Sequence, residues 1–391
     1  MGRRHTCSVI AFLDWTPHAW SVGMTVWDQP KENSLAALLH GMQFADGIEF
    51  DLRLSSDGEF VVYHNELVPG EGRKFERSIE RMSTSEIRSL GTVTFDELLS
   101  QGVLTDVWQA GGKTANIELK VPHPAARIDD VDAHLSAMMG LLEESLDPFD
   151  LPDRSALVYS FSPRIGPVAK SVGFGLPVTR LSPYLRPWGS YRIKRLVGTS
   201  GFVLSTVTGL IKEHREEGMP AIAMALQYLQ GWERFAHPGT PMAIRGGGLE
   251  RLNRARAGMG LHVWPAPLEL EASMLEAGIS LISDHMDPSV FSLPDGKARW
   301  MRPASQPLDD EWRGRLDGAS DSERGDLIRE AGESLPTWPE LGSNRKREMV
   351  TEQGHRMFWA GSEDKWAAEA ENGLPWGSPR LIGHRGAGDT D

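Results

Sequence analysis

Gly47-Ile48-Glu49-Phe50-Asp51-Leu52-Arg53-Leu54-Ser55-Ser56-Asp57-Gly58-Glu59-Phe60-Val61-Val62-Tyr63-His64-Asn65 reads as a β-hairpin. Ser-Ser-Asp-Gly is a turn between two runs that alternate in polarity. Glu49 and Asp51 are two apart and share one strand face, whereas Ile48, Phe50, Leu52, Val61 and Tyr63 take the other. Pairing Leu54 with Glu59 would set Glu49 opposite His64, and Asp51 opposite Val62, about 5 Å apart at Cβ. Acids and an imidazole gathered on one face suggest metal and proton-transfer chemistry.

Outward from the hairpin, short apolar runs alternate with helical patterns. Strands are expected at Ser8–Phe12, 116–120, 156–161, 177–181, 221–226, 261–264 and 280–284, with helices between them, among them 32–44 and 129–144. With the first hairpin strand this makes eight. Such alternation implies an α/β fold with parallel strands and crossover helices. Eight units fit a closed (β/α)8 TIM barrel over residues 1–292. An open doubly wound sheet is the runner-up, but no Gly-x-Gly-x-x-Gly follows the first strand. Beyond Leu293 the chain turns polar, with helices near 321–333 and 362–371. Residues 293–378 read as a mostly helical C-terminal extension or linker, and the next strand signal is 380–383.

Composition narrows the function classes. The 391 residues carry a formal net charge of −13, which argues against a nucleic-acid surface. The one cysteine, Cys7, excludes an intramolecular disulfide framework and fits a reducing compartment. The basic start is followed by an apolar run broken at Asp14, a poor signal peptide. No stretch approaches the ~20 apolar residues of a membrane helix. A cytoplasmic location is expected.

Asn116-Ile117-Glu118-Leu119-Lys120 ends a strand, with Glu118 and Lys120 on one face. Inward residues at the C-terminal ends of barrel strands line active sites. Glu49, Asp51 and Glu118 would then converge as a hard oxygen site for Mg²⁺ or Ca²⁺. Lys120 would add charge for an anionic substrate, and His64 would move protons near neutral pH. Salt bridges at exposed strand ends are the alternative reading of the same residues.

The order of short motifs resembles the glycerophosphodiester phosphodiesterases, relatives of the phosphatidylinositol-specific phospholipase C barrels. Pro30-Lys31-Glu32-Asn33-Ser34, Glu49-Phe50-Asp51, Val62-Tyr63-His64-Asn65, Glu118-Leu119-Lys120, Ser160-Phe161, Trp264 and Ser283-Asp284-His285-Met286-Asp287-Pro288 follow the family's sequence of elements over residues 7–290. The resemblance implies a divalent cation on Glu49, Asp51 and Glu118, catalysis by His64 and Lys120, and substrate contacts from Glu32, Lys120 and Trp264. It implies hydrolysis of a glycerophosphodiester or lysophospholipid-type small molecule to glycerol 3-phosphate and an alcohol.

One element is displaced. The family opens with a His-Arg pair that closes the first strand, its His one of two catalytic histidines and its Arg a phosphate ligand. Here Phe12-Leu13 stands in that place, which implies a weakened enzyme or, alternatively, a catalytically degenerate barrel that binds phosphodiesters or serves as a scaffold for a second, active domain. The opening motif is found instead at Gly383-His384-Arg385-Gly386. Three readings are open: it begins a truncated second barrel over 379–391, it completes the first barrel by circular permutation, or it dangles as a tail. With eight strands already counted, the truncated second barrel is the expectation.

Overall fold

The structure is a computed structural model and describes residues 27–68, 76–185, 192–356 and 362–390. The strands of its main sheet are β1 (Gly47–Leu54), β2 (Phe60–Val62), β3 (Thr114–Leu119), β4 (Ala156–Ser160), β5 (Val178–Arg180), β6 (Ala221–Ala225), β7 (Gly260–Trp264), β8 (Ser280–Ser283) and β9 (Leu381–Gly383). Apart from β2, they form one parallel sheet in the order β5-β4-β3-β1-β9-β8-β7-β6. A parallel bridge between Leu181 and Ala223 joins its two ends, with Ser182 N donating to the Ala223 carbonyl at 3.0 Å. The result is the expected eight-stranded barrel.

The eighth strand is not the expected one. Ser8–Phe12 lies outside the described residues. Between β1 and β8 the structure places β9, from the far end of the chain, with Gly47 opposite Ile382 and Ser283 opposite Gly383. Leu381–Gly383, which the truncated-second-barrel expectation set apart, therefore pair into this barrel, in the manner of a circular permutation. The physical reason is closure: without β9, two buried strands would each leave a row of unpaired backbone groups.

The interior of the barrel is apolar at its centre, with Leu157, Tyr159, Leu181, Ala223, Ile282 and Ile382 packed together. The outward residues Ile48, Phe50, Leu52, Ile117 and Leu119 pack under helices that include α1 (Leu35–Phe44) and Val131–Leu146. Ser34 caps α1 by accepting from Ala37 N. The helices 310–318, 321–334, 343–356 and 362–371 lie between β8 and β9, so the extension is the crossover that returns the chain to the barrel. Buried Asp46, just before β1, fastens both ends of that return. It accepts from Ala304 N, Ser305 N and Leu381 N at 3.1, 2.7 and 2.9 Å.

The hairpin forms, one residue out of the expected register. Leu54 pairs with Phe60, Arg53 with Val61 and Leu52 with Val62, because Ser55 N turns back to the Glu59 carbonyl and lengthens the turn. Asp51 thus faces Tyr63, whose N–H donates to the Asp51 carbonyl at 3.0 Å. β2 ends at Val62, so Glu49 and His64 are not ladder partners.

Candidate active site

Strand alternation turns Glu49, Asp51 and Glu118 inward at the C-terminal mouth, where all three are buried. One carboxylate oxygen from each lies within 4.8 Å of the others. Lys120, just past β3, bridges Asp51 and Glu118 at 2.9 and 3.0 Å. Asn33 holds the second Asp51 oxygen, donating from Nδ2 at 2.8 Å.

His64 reaches the mouth from the segment after β2, whose backbone is held by Arg53. The Arg53 guanidinium donates to the His64 carbonyl at 2.9 Å and pairs with Glu80 at 2.8 Å, with both side chains buried. β9 delivers the remaining groups. Arg385 N donates to Glu49 at 2.9 Å, and its guanidinium pairs with Glu32, approaches Asp51 at 3.7 Å and donates to His64 Nε2 at 3.0 Å. His384 Nδ1 lies 2.6 Å from Asp284 and its Nε2 3.8 Å from Glu49. The turn after Arg385 requires Gly386. Its φ is +91°, and a Cβ there would stand 2.4 Å from the Ala37 carbonyl carbon of α1.

Electrostatics distinguish the two imidazoles. Burial, then the Lys120 charge, pushes His64 down to about 2, so it is neutral. With Nε2 accepting from Arg385, its proton sits on Nδ1, a buried atom without a hydrogen-bond partner. Burial also acts against the His384 cation, but the hydrogen bond to Asp284 and the Glu49 charge outweigh it and raise His384 above its ordinary value. Burial and the nearby Asp51 charge push Glu49 up to about 8. Glu118 is raised, burial again leading. Burial opposes ionisation of Asp51 as well, yet the charges of Lys120 and Arg385 and the Lys120 hydrogen bond hold it well below the usual carboxylate range. The site is short of positive charge, and its all-oxygen donor set fits a hard divalent cation.

Glu32, Glu49, Asp51, His64, Glu118 and Lys120 gather in this group, and Trp264 stands at the C-terminal end of another barrel strand. That residue ends β7 and packs edge-on against Phe161 and Tyr184, with ring centroids 6.2 and 6.3 Å away. The carboxylate of Glu32 is engaged by Arg385. Sequence reasoning assigned His384 and Arg385 to another domain and gave no role to Asn33, Arg53 or Asp284. The displaced His-Arg-Gly directly after a strand was the available signal.

A closed parallel barrel with acids, a lysine and two histidines at the C-terminal ends of its strands has the build of a TIM-barrel enzyme. Comparison with known proteins is consistent. Residues 22–171 match the model of the glycerophosphoryl diester phosphodiesterase family, so the resemblance read from the motifs holds over that stretch. It contains Glu49, Asp51, His64, Glu118 and Lys120; His384 and Arg385 lie outside it. No curated protein matches the chain. Similar solved structures include glycerophosphodiester phosphodiesterases from Thermotoga maritima (17% identity, 65% of this chain and 89% of that one, TM-score 0.41) and Parabacteroides distasonis (17%, 64% and 84%, 0.42). A phosphodiesterase from Oleispira antarctica, solved with the product sn-glycerol-3-phosphate, shares 15% identity over 65% of this chain and 88% of its own, with a TM-score of 0.43.

Proposed function

We propose that this protein hydrolyses glycerophosphodiesters to glycerol 3-phosphate and an alcohol, with a divalent cation, Mg²⁺ or Ca²⁺, held by Glu49, Asp51 and Glu118. The observation that carries the reading is the arrival of His384 and Arg385 beside His64 and the three acids. It supplies the pair whose absence at Phe12-Leu13 pointed to a degenerate barrel. The cation, when bound, supplies charge neutralisation and polarises the phosphoryl oxygens. Lys120 and Arg385 add fixed positive charge where negative charge grows on the phosphorus oxygens. His64, neutral, accepts a proton from the attacking water as the new P–O bond forms. His384, protonated and oriented by Asp284, donates its proton to the departing alcohol oxygen as the old P–O bond breaks.

The test is hydrolysis of glycerophosphocholine in Mg²⁺, Ca²⁺ or EDTA. We expect cation-dependent release of glycerol 3-phosphate, abolished by EDTA. No turnover with either cation would reject the reading.

A further inference from the structure

The rim of the mouth carries an exposed apolar face that the chemistry does not use. Helix α2 (Arg192–Leu204) follows β5 and helix α3 (Val207–Glu216) precedes β6. The latter buries Val207, Leu210 and Ile211 as an ordinary crossover helix. The former is a second helix in the same crossover, and it leaves Leu196, Val197, Val203 and Leu204 exposed, the last at 77%. The loop after β6 adds Trp232 at 72% and Phe235 at 62%. Among the described residues ten large apolar side chains are exposed, and these six fall in just two segments. Such clustering marks an interaction face rather than scattered surface residues.

The two segments form one fixed piece. Buried Phe202 of α2 packs against Tyr228, tilted, and His237, edge-on, of the β6 loop, with centroids 4.5 and 5.7 Å away. The Tyr228 hydroxyl donates to the Pro183 carbonyl at 2.7 Å, and Leu185 N donates to Gln227 at 2.9 Å. Between those anchors lies Tyr184, which touches the Phe161 and Trp264 rings. The exposed face therefore stands at the C-terminal ends of the strands, on the same side of the barrel as Glu49 and Asp51.

Charge selects the occupant. In a chain of net charge −13, the α2 sequence holds Arg192, Lys194 and Arg195 and no acidic residue. In the β6 loop, Arg234 lies over the Phe235 ring, 4.7 Å from its centroid. A basic helix with exposed leucine and valine, beside an exposed Trp and Phe, has the composition of an interfacial lipid-binding face. A second copy meeting this face about a two-fold axis would set the basic helix against itself. We propose that the rim docks on an anionic lipid bilayer and seats the mouth over phosphodiesters carried in or released from it. That substrate source rests on the proposed function; the docking does not.

The experiment is co-sedimentation of the full chain with phosphatidylcholine vesicles with and without phosphatidylglycerol. Wild type is compared with Leu204→Glu, Trp232→Glu and the double variant. Wild type is expected to partition onto the phosphatidylglycerol vesicles and to be released by high salt. The double variant is expected to lose about tenfold or more of that partitioning, with an unchanged melting curve and unchanged turnover of soluble glycerophosphocholine. Absence of wild-type binding, or equal binding by the double variant, would overturn the proposal. So would a concentration-dependent dimer in sedimentation velocity that the variants abolish, which would make the face a self-interface. Rim-dependent vesicle binding by a protein that hydrolyses no phosphodiester would leave docking in place and remove the functional reading.

Discussion

At the scale of single residues, the mouth works through contrasts between chemically similar groups. Two imidazoles face one acidic cluster, one held neutral by burial and Lys120, the other raised above its ordinary value mainly by its hydrogen bond to Asp284. If they act as base and acid, removing either should cost a similar factor. We expect His384→Ala and His64→Ala each to slow hydrolysis ~10²–10⁴-fold, measured as kcat on glycerophosphocholine. Near-normal turnover by His384→Ala would remove it from the chemistry. Asp284→Asn takes away a partner that raises His384, so its proton is lost at lower pH. The alkaline limb of the kcat/KM profile should then move down in pH, and an unmoved limb would refute the pairing.

Glu49 gives a stability prediction with a definite sign. Its carboxyl is raised from 4.5 to about 8, mainly by burial and then by Asp51. Between those values the folded protein holds a proton that the unfolded chain has released, so stability falls as pH rises through the window. The melting temperature of the cation-free protein should drop across that range, and drop less in Glu49→Gln. A cation that binds only the folded site offsets the loss by mass action. Mg²⁺ or Ca²⁺ should therefore raise the melting temperature of wild type but not of Glu118→Gln; equal shifts in both would count against the shared site.

At the scale of elements, the decisive one is β9, three residues long. It has few side chains to bury and depends on backbone pairing with β1 and β8 and on the acceptor Asp46. Asp46→Ala strips the acceptor from three buried N–H groups at once. Each costs about 1–3 kcal/mol when left unpaired, so the variant should be destabilised by roughly 3 kcal/mol or more in urea unfolding. A loss below about 1 kcal/mol would mean that water or a shifted chain replaces the carboxylate.

At the scale of the whole molecule, the helical crossover and the barrel are one structure joined at several points. Asp46 ties the barrel floor to residues 304–305, Trp376 reaches the barrel interior, and Trp338 packs so closely that a Cβ on Gly112 would lie 2.9 Å from it. The strand the crossover returns completes both the sheet and the site. Heat or denaturant should therefore melt barrel and extension in one cooperative transition, with coincident calorimetric and near-ultraviolet signals. Two separated transitions would show that the extension folds on its own.

Much of this was legible in the residues themselves. Period-two alternation placed Glu49 with Asp51 and Glu118 with Lys120 on single faces, and recurring strand and helix signals gave the barrel, because these patterns depend only on near neighbours. The hairpin register slipped by one because the turn geometry at Ser55–Glu59 is a backbone matter that the residue types leave open. The place of Leu381–Gly383 was open for a deeper reason. A three-residue apolar run says that a strand exists, not which neighbours it pairs with, and Ser8–Phe12 competes for the same slot on equal terms. Only the folded barrel, with β1 and β8 each offering an unpaired edge and Asp46 waiting for Leu381 N, decides that the last strand of the chain completes it and that His384 and Arg385 belong to the same site as His64.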